Sequence, residues 1–363
     1  MKKKYFLLLV LSFGTLAIVI LLIPQFVKQK NYIERAQKKY EEIEQTPLQN
    51  PTVDTIPLNK KVYLLIYNPK INDQYTNEYF GWNDPEEITN EVIAFFKNVS
   101  EGYLNYEIVQ KKVVEEFPAK EDGFVYTFEN YIECVNSNGE KCHDPDIADY
   151  VKILDANNIC EMLNNDEIDE LWLWGGPWFG YWESNLAGRY SFWYNSNPTH
   201  FNTCKTPLPI MGFNYERTKN EAIHNFGHRA ESTLKRVFQS WDAENTHGWN
   251  RFALLSRNNN GQGGCGNTHI TVNGTEDYIY TNKDNVMSNC EEFKDYPNIE
   301  NTYKMVNCND WGCDEFEYYT YWWNNIPRNT GINKDAFTGQ EVLNNWWKYI
   351  FDLSWTYNKT TTY

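Results

Sequence analysis

Strand-like and helix-like segments alternate along the chain from Lys61 onward. The run KVYLLIYNP (61–69) is short, apolar and β-branched and ends at a proline, which is typical of a buried strand. The segment DPEEITNEVIAFFKNVSEG (84–102) starts with an aspartate cap, a proline and early acids and ends on glycine, which predicts a helix. Strands separated by helices favour some parallel pairing, so the alternation predicts a mixed α/β (α+β) domain.

The same patterns continue towards the C-terminus, with an irregular aromatic stretch at 177–201. The periodicity predicts further strands at 104–117, 122–135 and 168–176 and further helices at 144–164, 218–241 and 339–355. The last hundred or so residues are rich in glycine, asparagine, tryptophan and cysteine. We therefore expect a mixed sheet followed by an irregular, disulfide-rich C-terminal half.

The N-terminus begins with three lysines and continues as an uncharged, apolar run to Val27. About 20 apolar residues suffice to span a bilayer, and the bulky residues that follow do not form a small-residue cleavage site. We predict an uncleaved signal anchor at 1–28, a polar stalk at 29–60 and a domain at 61–363 outside the membrane. A cleaved signal peptide, which would make the protein secreted, is the alternative.

The chain contains eight cysteines, an even number that indicates disulfides in an exported protein. Cys134 and Cys142 are the pair most readily joined, because they close a short polar loop. Cys308 and Cys313 could instead bind a metal, but their spacing fits no common zinc module. We therefore predict disulfide bonds throughout.

The formal net charge of the chain is −16. Nucleic-acid partners need a cationic face, so this charge argues against them. Aromatic residues make up 17% of the chain, and the stretch LWLWGGPWFGYWES holds several of them. Trp174 and Trp178 are candidates for contacts with a peptide or glycan substrate, although aromatic side chains in such a chain also fill the core.

The helix expected at 218–241 contains the sequence HNFGH. Thr218 and Glu221 form a T-x-x-E capping box at its start. His224, His228 and Glu231 follow at i, i+4 and i+7, which groups their side chains on a face beside the apolar stripe. Zinc accepts histidine nitrogen and carboxylate oxygen, so this face is a candidate metal site. Two ordinary histidines bonded to neighbouring acids are the alternative interpretation.

The sequence HNFGH resembles the HEFGH form of the zincin metallopeptidase signature, with Asn225 in the place of the glutamate. The preceding order of elements is also similar to that of metzincin-like domains: a helix, an S-x-G turn at 100–102, a strand, a second helix, a strand and then the motif helix. The order of elements is similar over roughly residues 60–240, but only the HNFGH motif resembles the family at the level of individual residues. The resemblance implies a zincin-like fold, a zinc cofactor and peptide-bond hydrolysis.

The departures from the zincin pattern concern the base and the third ligand. The missing glutamate would normally take a proton from water, and asparagine cannot. Glu221 is the candidate replacement, with helix capping as its other role. The third ligand is either Glu231 or a histidine from a later loop, His269 or His247. We favour His269 among the loop histidines because a disulfide at the neighbouring cysteine would hold its loop in place.

Two functions remain open at this point. The first is a membrane-anchored, extracytoplasmic, zinc-dependent peptidase or other hydrolase whose general base is atypical or lost. The second is a non-catalytic surface protein that binds a glycan or another protein through its aromatic loops. Metal content separates them, because only the first requires a bound ion.

Overall fold

The computed structural model describes residues 52–239, 247–336 and 338–357. Pro51–Asn333 and Val342–Tyr363 belong to one compact unit, and Lys334–Glu341 belong to another. Within the second unit, the Asp335 carboxylate accepts hydrogen bonds from the main-chain nitrogen and Oγ1 of Thr338. The predicted signal anchor and most of the predicted stalk lie outside the described residues. Among the residues described, no helix is both long and apolar enough to cross a bilayer.

A five-stranded sheet forms the centre of the fold. The strands are Leu58–Tyr67 (β1), Lys70–Ile71 (β2), Gln74–Tyr75 (β3), Leu104–Val114 (β4), Glu170–Gly175 (β5), Ser184–Ala187 (β6), Leu208–Asn214 (β7), Gln262–Gly263 (β8), Val286–Ser288 (β9), Lys304–Val306 (β10), Arg328–Lys334 (β11) and Glu341–Asn345 (β12). The central order is β4-β1-β5-β7-β6. Its first four strands pair in parallel, and β6 is antiparallel to β7. The expected mixed α/β class and parallel pairing are confirmed.

Helices cover both faces of this sheet. They are Thr76–Phe80 (α1), Pro85–Val99 (α2), Phe128–Asn136 (α3), Tyr150–Ala156 (α4), Ile159–Asn164 (α5), Lys219–Phe238 (α6), Gly248–Phe252 (α7), Glu315–Asn324 (α8), Trp346–Phe351 (α9) and Ser354–Tyr357 (α10). Short 3-10 helices cover Ser256–Asn258, Cys290–Asp295 and Cys308–Trp311. The helix that carries HNFGH is therefore α6.

The alternation of side chains along β1 explains why the sheet is covered on both sides. Val62, Leu64 and Ile66 join a hydrophobic core with α2, α6 and the C-terminal helices. The intervening residues, Tyr63 and Leu65, join a second core with α3, α4 and α5. Successive side chains of a strand point to opposite faces, so a strand buried on both faces is apolar throughout.

Three of the predicted elements differ from the structure. The strand expected at 122–135 is wrong, because Phe128–Asn136 is a helix whose start is capped by Thr127 and Asn130. The helix expected at 144–164 is divided into α4 and α5, with Asn158 in a left-handed conformation between them. In the helix expected at 339–355, the first part is strand β12.

The disulfide prediction is confirmed, and the described residues contain no free cysteine. The bonds join Cys134 to Cys142, Cys160 to Cys204, Cys265 to Cys290 and Cys308 to Cys313. The expected pair Cys134–Cys142 is among them, and the pair Cys308–Cys313 forms a disulfide in place of a metal site. Four disulfides indicate that the chain folds in an oxidising, extracellular type of environment.

The capping box at the start of α6 is present as predicted. Thr218 Oγ1 accepts a hydrogen bond from the main-chain nitrogen of Asn220, and the Glu221 carboxylate accepts one from the main-chain nitrogen of Thr218. These bonds satisfy N–H groups that have no partner within the helix. The cap fixes the first turn of α6, one turn before His224.

We expect the substitution Thr218→Ala to lower the free energy of unfolding by about 1 kcal/mol, the typical effect of removing a side-chain cap. Urea unfolding of the full chain, followed by tryptophan fluorescence, measures the change. The matched control is Thr55→Ala, at an exposed position, for which we expect a change within about 0.5 kcal/mol. Equal losses in the two variants would show that the cap contributes nothing.

Candidate metal centre

Helix α6 holds two histidines one turn apart, on a face that adjoins its buried apolar side. The predicted apolar positions are all buried, namely Ile223, Phe226, Ala230, Leu234 and Val237. His224 and His228 lie one turn apart on the adjoining face, with ring centroids separated by 4.5 Å. The spacing of four residues therefore places two imidazoles side by side at the surface of the core.

The third histidine, His269, comes from the loop between β8 and β9. Its Nε2 lies 3.1 Å from Nε2 of His228, and its ring lies 5.0 Å from that of His224, centroid to centroid. The disulfide Cys265–Cys290 fixes one end of the loop. The hydroxyl of Tyr318, in α8, lies within hydrogen-bonding distance of the main-chain carbonyls of Cys265, Asn267 and Ile270. The loop is thus held on the helix as the sequence predicts.

The Nδ1 atom of each histidine has a partner outside the cluster. Nδ1 of His224 lies 2.8 Å from the Tyr319 hydroxyl, and Nδ1 of His228 lies 3.0 Å from the Glu231 carboxylate. Nδ1 of His269 lies 3.6 Å from Oδ2 of Asp277. The hydrogen bonds at Nδ1 fix the rings of His224 and His228 and leave their Nε2 atoms for a metal, which is the usual arrangement around histidine ligands.

The three histidines form a group that could hold a metal ion, with ligand atoms that all lie within 4.8 Å of one another. Imidazole nitrogen suits zinc and other late first-row metals, and three protein ligands leave a coordination position open. The donor set and its spacing fit a divalent transition metal. The identity of the ion is not fixed by these atoms.

Burial and neighbouring charges set the protonation of the two helix histidines. Burial, together with the adjacent His228 and His269, lowers the pKa of His224 to about 3. Burial also acts to lower the pKa of His228, but its hydrogen bond to Glu231 and the charges of Glu231 and Glu183 raise that pKa above the usual value. The neutral imidazole is the form that binds a metal, so the lowered pKa of His224 favours metal binding, whereas the raised pKa of His228 opposes it as the pH falls.

Glu231, one of the three candidates for the third ligand, is hydrogen-bonded to His228. Oε1 accepts hydrogen bonds from the main-chain nitrogen and Oγ1 of Thr268, and Oε2 is bonded to Nδ1 of His228. Glu231 therefore joins helix α6 to the loop of His269. In this position it orients the ring of His228, and the three-histidine group does not include it. The other loop candidate, His247, is buried at the start of α7 and is likewise outside the group.

Asn225 and Glu221, the two residues at issue for the missing base, both line a cleft beside the histidines. The Asn225 side-chain amide donates to the main-chain oxygen of Gly212 at 2.7 Å. The carboxylate Oε2 of Glu221 accepts from the nitrogen and Oγ1 of Thr218. Asn225 therefore ties α6 to β7, and Glu221 is engaged in the helix cap.

The cleft has a volume of about 790 Å³ and includes both predicted substrate-contact residues in its wall. Trp174 is only 1% exposed and packs on Phe213, with ring centroids 4.8 Å apart. Trp178 is half-buried at the other side. Of the two, Trp178 is the one that offers ring surface to a molecule in the cleft, whereas Trp174 serves mainly as part of the core.

The sequence analysis missed Glu183 and Tyr278 as members of this site. Glu183 immediately precedes β6, and its carboxylate oxygens lie 3.4 Å from Nε2 of His228 and 3.9 Å from Nε2 of His224. The hydroxyl of Tyr278 lies 3.3 Å from Nε2 of His269. Both belong to irregular segments, where no periodic pattern indicates which residues face a site.

The fold and the site together define a mixed α/β protein with four disulfides and a three-histidine candidate metal centre at the edge of a cleft. Comparison with known proteins found no matching protein-family model, no matching curated protein and no matching solved structure.

Proposed function

We propose that this protein is an exported, zincin-like hydrolase that binds zinc through His224, His228 and His269 and cleaves peptide bonds in the adjoining cleft. The observation that carries the proposal is the grouping of three histidines whose ligand atoms all lie within 4.8 Å of one another, with the rings of His224 and His228 oriented by hydrogen bonds at Nδ1. Three histidines with an open fourth position are a typical catalytic zinc site. The predicted N-terminal segment 1–28 would hold the domain at the membrane.

The cleft supports hydrolysis of an extended substrate. Trp178, Tyr181 and Trp182 expose aromatic surface to it, and His224 and Glu183 are also part of its lining. Zinc, when bound, polarises a carbonyl group and lowers the pKa of a water molecule. The protein's own residues supply the remaining functions: the aromatic wall excludes water and contacts the substrate, and the fixed rings hold the metal at one edge of the cleft.

A non-catalytic role as a surface protein that binds a glycan or another protein is the second candidate. The observation that favours it is the exposure of Tyr190 and Trp193, at 50% and 55%, in the loop after β6. Exposed aromatic rings stack readily on pyranose faces and are frequent in protein interfaces. This function needs neither the histidine cluster nor the cleft.

Elemental analysis of the full chain tests the first proposal. We expect close to one zinc ion per chain in the wild-type protein. We expect His228→Ala to lose it, because the two remaining histidine nitrogens are too few to hold the ion. The control His200→Ala removes an exposed histidine outside the cluster and should leave the zinc content unchanged. A folded wild-type chain without zinc after incubation with the metal would contradict the proposal.

Hydrolysis is measured separately with fluorescein-labelled casein. We expect zinc-loaded wild-type protein to release labelled fragments, and a chelator or His228→Ala to stop the release. A chain that binds zinc but leaves casein and a random peptide library intact would retain the metal site and exclude the peptidase. The surface-protein candidate would then be preferred.

A further inference from the structure

Hydrolysis requires proton transfer from water, and the side chains of the motif helix that could take part are already engaged in hydrogen bonds. Position 225 is an asparagine that donates to Gly212. Glu221 is hydrogen-bonded to Thr218 at the helix cap, and Glu231 is hydrogen-bonded to Thr268 and to His228. Each of these three side chains of α6 is occupied in holding the helix or the His269 loop in place. A carboxylate on another element that faces the cleft is therefore the better candidate for the base.

We propose that Glu183, the residue immediately before edge strand β6, is the general base of the site; this inference rests on the proposed function. Its side chain is 46% exposed and lines the cleft beside His224. Its two carboxylate oxygens face the Nε2 atoms of His224 and His228 at 3.9 Å and 3.4 Å. A carboxylate in this position reaches a water molecule that occupies the open side of the cluster.

The geometry assigns Glu183 to proton transfer in preference to metal ligation. The Glu183 carboxylate is shared between two histidines, with oxygens 3.4 Å from Nε2 of His228 and 3.9 Å from Nε2 of His224. The group of mutually close ligand atoms consists of the three histidines and does not include Glu183. Three protein ligands leave the fourth position of a zinc site to water, and a carboxylate beside the cluster can accept a proton from that water.

The Glu183 carboxylate is held from outside the cleft. Oε2 accepts a hydrogen bond from the side-chain amide of Asn195 at 2.6 Å, and the main-chain nitrogen of Asn195 is bonded to Oγ of Ser232 in α6. The main-chain oxygen of Glu183 accepts from the nitrogen of Gly212 in β7. The carboxylate is thus placed relative to both the sheet and the motif helix, as a base on a separate element needs to be.

The reaction step balances with water as the only co-reactant. The Glu183 carboxylate accepts a proton from water as the water oxygen bonds to the peptide carbonyl carbon, and the π electrons move to the carbonyl oxygen. The protonated Glu183 then donates that proton to the amide nitrogen as the carbon–nitrogen bond breaks. The products are a carboxylic acid and an amine, and the Glu183 carboxylate is restored.

The variant Glu183→Gln tests the assignment in the full chain. We expect the rate of fluorescein-casein hydrolysis to fall roughly 10²–10⁴-fold, the usual effect of losing a general base. Zinc content and the absorption spectrum of the cobalt-substituted protein should stay as in the wild type, because the ligands are unchanged. Glu140→Gln, at an exposed carboxylate outside the cleft, is the matched control and should hydrolyse at the wild-type rate.

A second variant, Glu183→Ala, allows a rescue experiment that separates a catalytic role of this carboxylate from a purely structural one. Added formate should fit the space that is left and restore part of the hydrolysis, while leaving Glu140→Gln unaffected. Wild-type hydrolysis in Glu183→Gln would overturn the assignment, and so would loss of zinc or an altered cobalt spectrum, which would make Glu183 a ligand. Failure of the proposed function is seen earlier and separately, as absent zinc or absent hydrolysis in the wild type.

Discussion

Replacing Glu170 with leucine is expected to lower the free energy of unfolding by about 3–5 kcal/mol, because it leaves a buried cation without its partner. Glu170 accepts two hydrogen bonds from the Arg229 guanidinium, each 2.7 Å long, and both side chains are buried, at 1% and 0% exposure. Arg229 directly follows His228, so this pair also fixes the register of the motif helix against β5. Urea unfolding of the full chain measures the loss.

The comparison that isolates the charge is the double variant Glu170→Leu with Arg229→Met. Removing both partners of a buried pair is often close to neutral, so we expect the double variant to recover most of the stability that the single variant loses. The exposed pair of Lys111 and Glu86 provides a second control, and Lys111→Ala should change stability by less than about 1 kcal/mol. A loss of that small size in Glu170→Leu would refute the structural role given to the pair.

Zinc is expected to stabilise the folded chain by about 4 kcal/mol when its free concentration is a thousandfold above the dissociation constant. The physical reason is that an ion bound by His224, His228 and His269 joins helix α6 to a loop about forty residues further along the chain. Binding requires both segments to be in place, so the binding free energy becomes folding free energy. Thermal unfolding with zinc and with a chelator measures the difference in midpoint.

Two comparisons make this stabilisation specific. The variant His269→Ala should show the same midpoint with and without zinc, whereas His200→Ala should respond as the wild type does. Magnesium should have little effect, because it prefers oxygen ligands in octahedral geometry. An equal zinc response in His269→Ala and in the wild type would mean that the ion binds elsewhere.

Local sequence signals were sufficient for much of the framework. The cap at Asp84 and Pro85 marks the start of α2, and the capping box of Thr218 marks the start of α6. These signals work because each depends on bonds within one turn. The same kind of signal is present at Thr127 and Asn130, but the β-branched and aromatic residues around it favour a strand, so the local pattern is ambiguous there.

The site itself was predictable only in part. The preference for His269 rested on a neighbouring cysteine, and the structure brings this histidine to the helix pair through the disulfide that was expected. Glu183 was not predictable, because it reaches the histidines only through the antiparallel pairing of β6 with β7. That pairing joins segments separated by an irregular loop, and no local pattern encodes it.

The hydroxyls of Tyr318 and Tyr319, adjacent in α8, hold the His269 loop and the ring of His224 respectively. Both come from a helix that begins at Glu315, almost ninety residues after the motif. A fragment that stops short of this helix would still carry all three histidines but would lose the hydroxyl that is hydrogen-bonded to His224 and the hydroxyl that holds the His269 loop. Shortened versions of the chain should therefore include α8, because this C-terminal helix positions the histidines of the candidate centre.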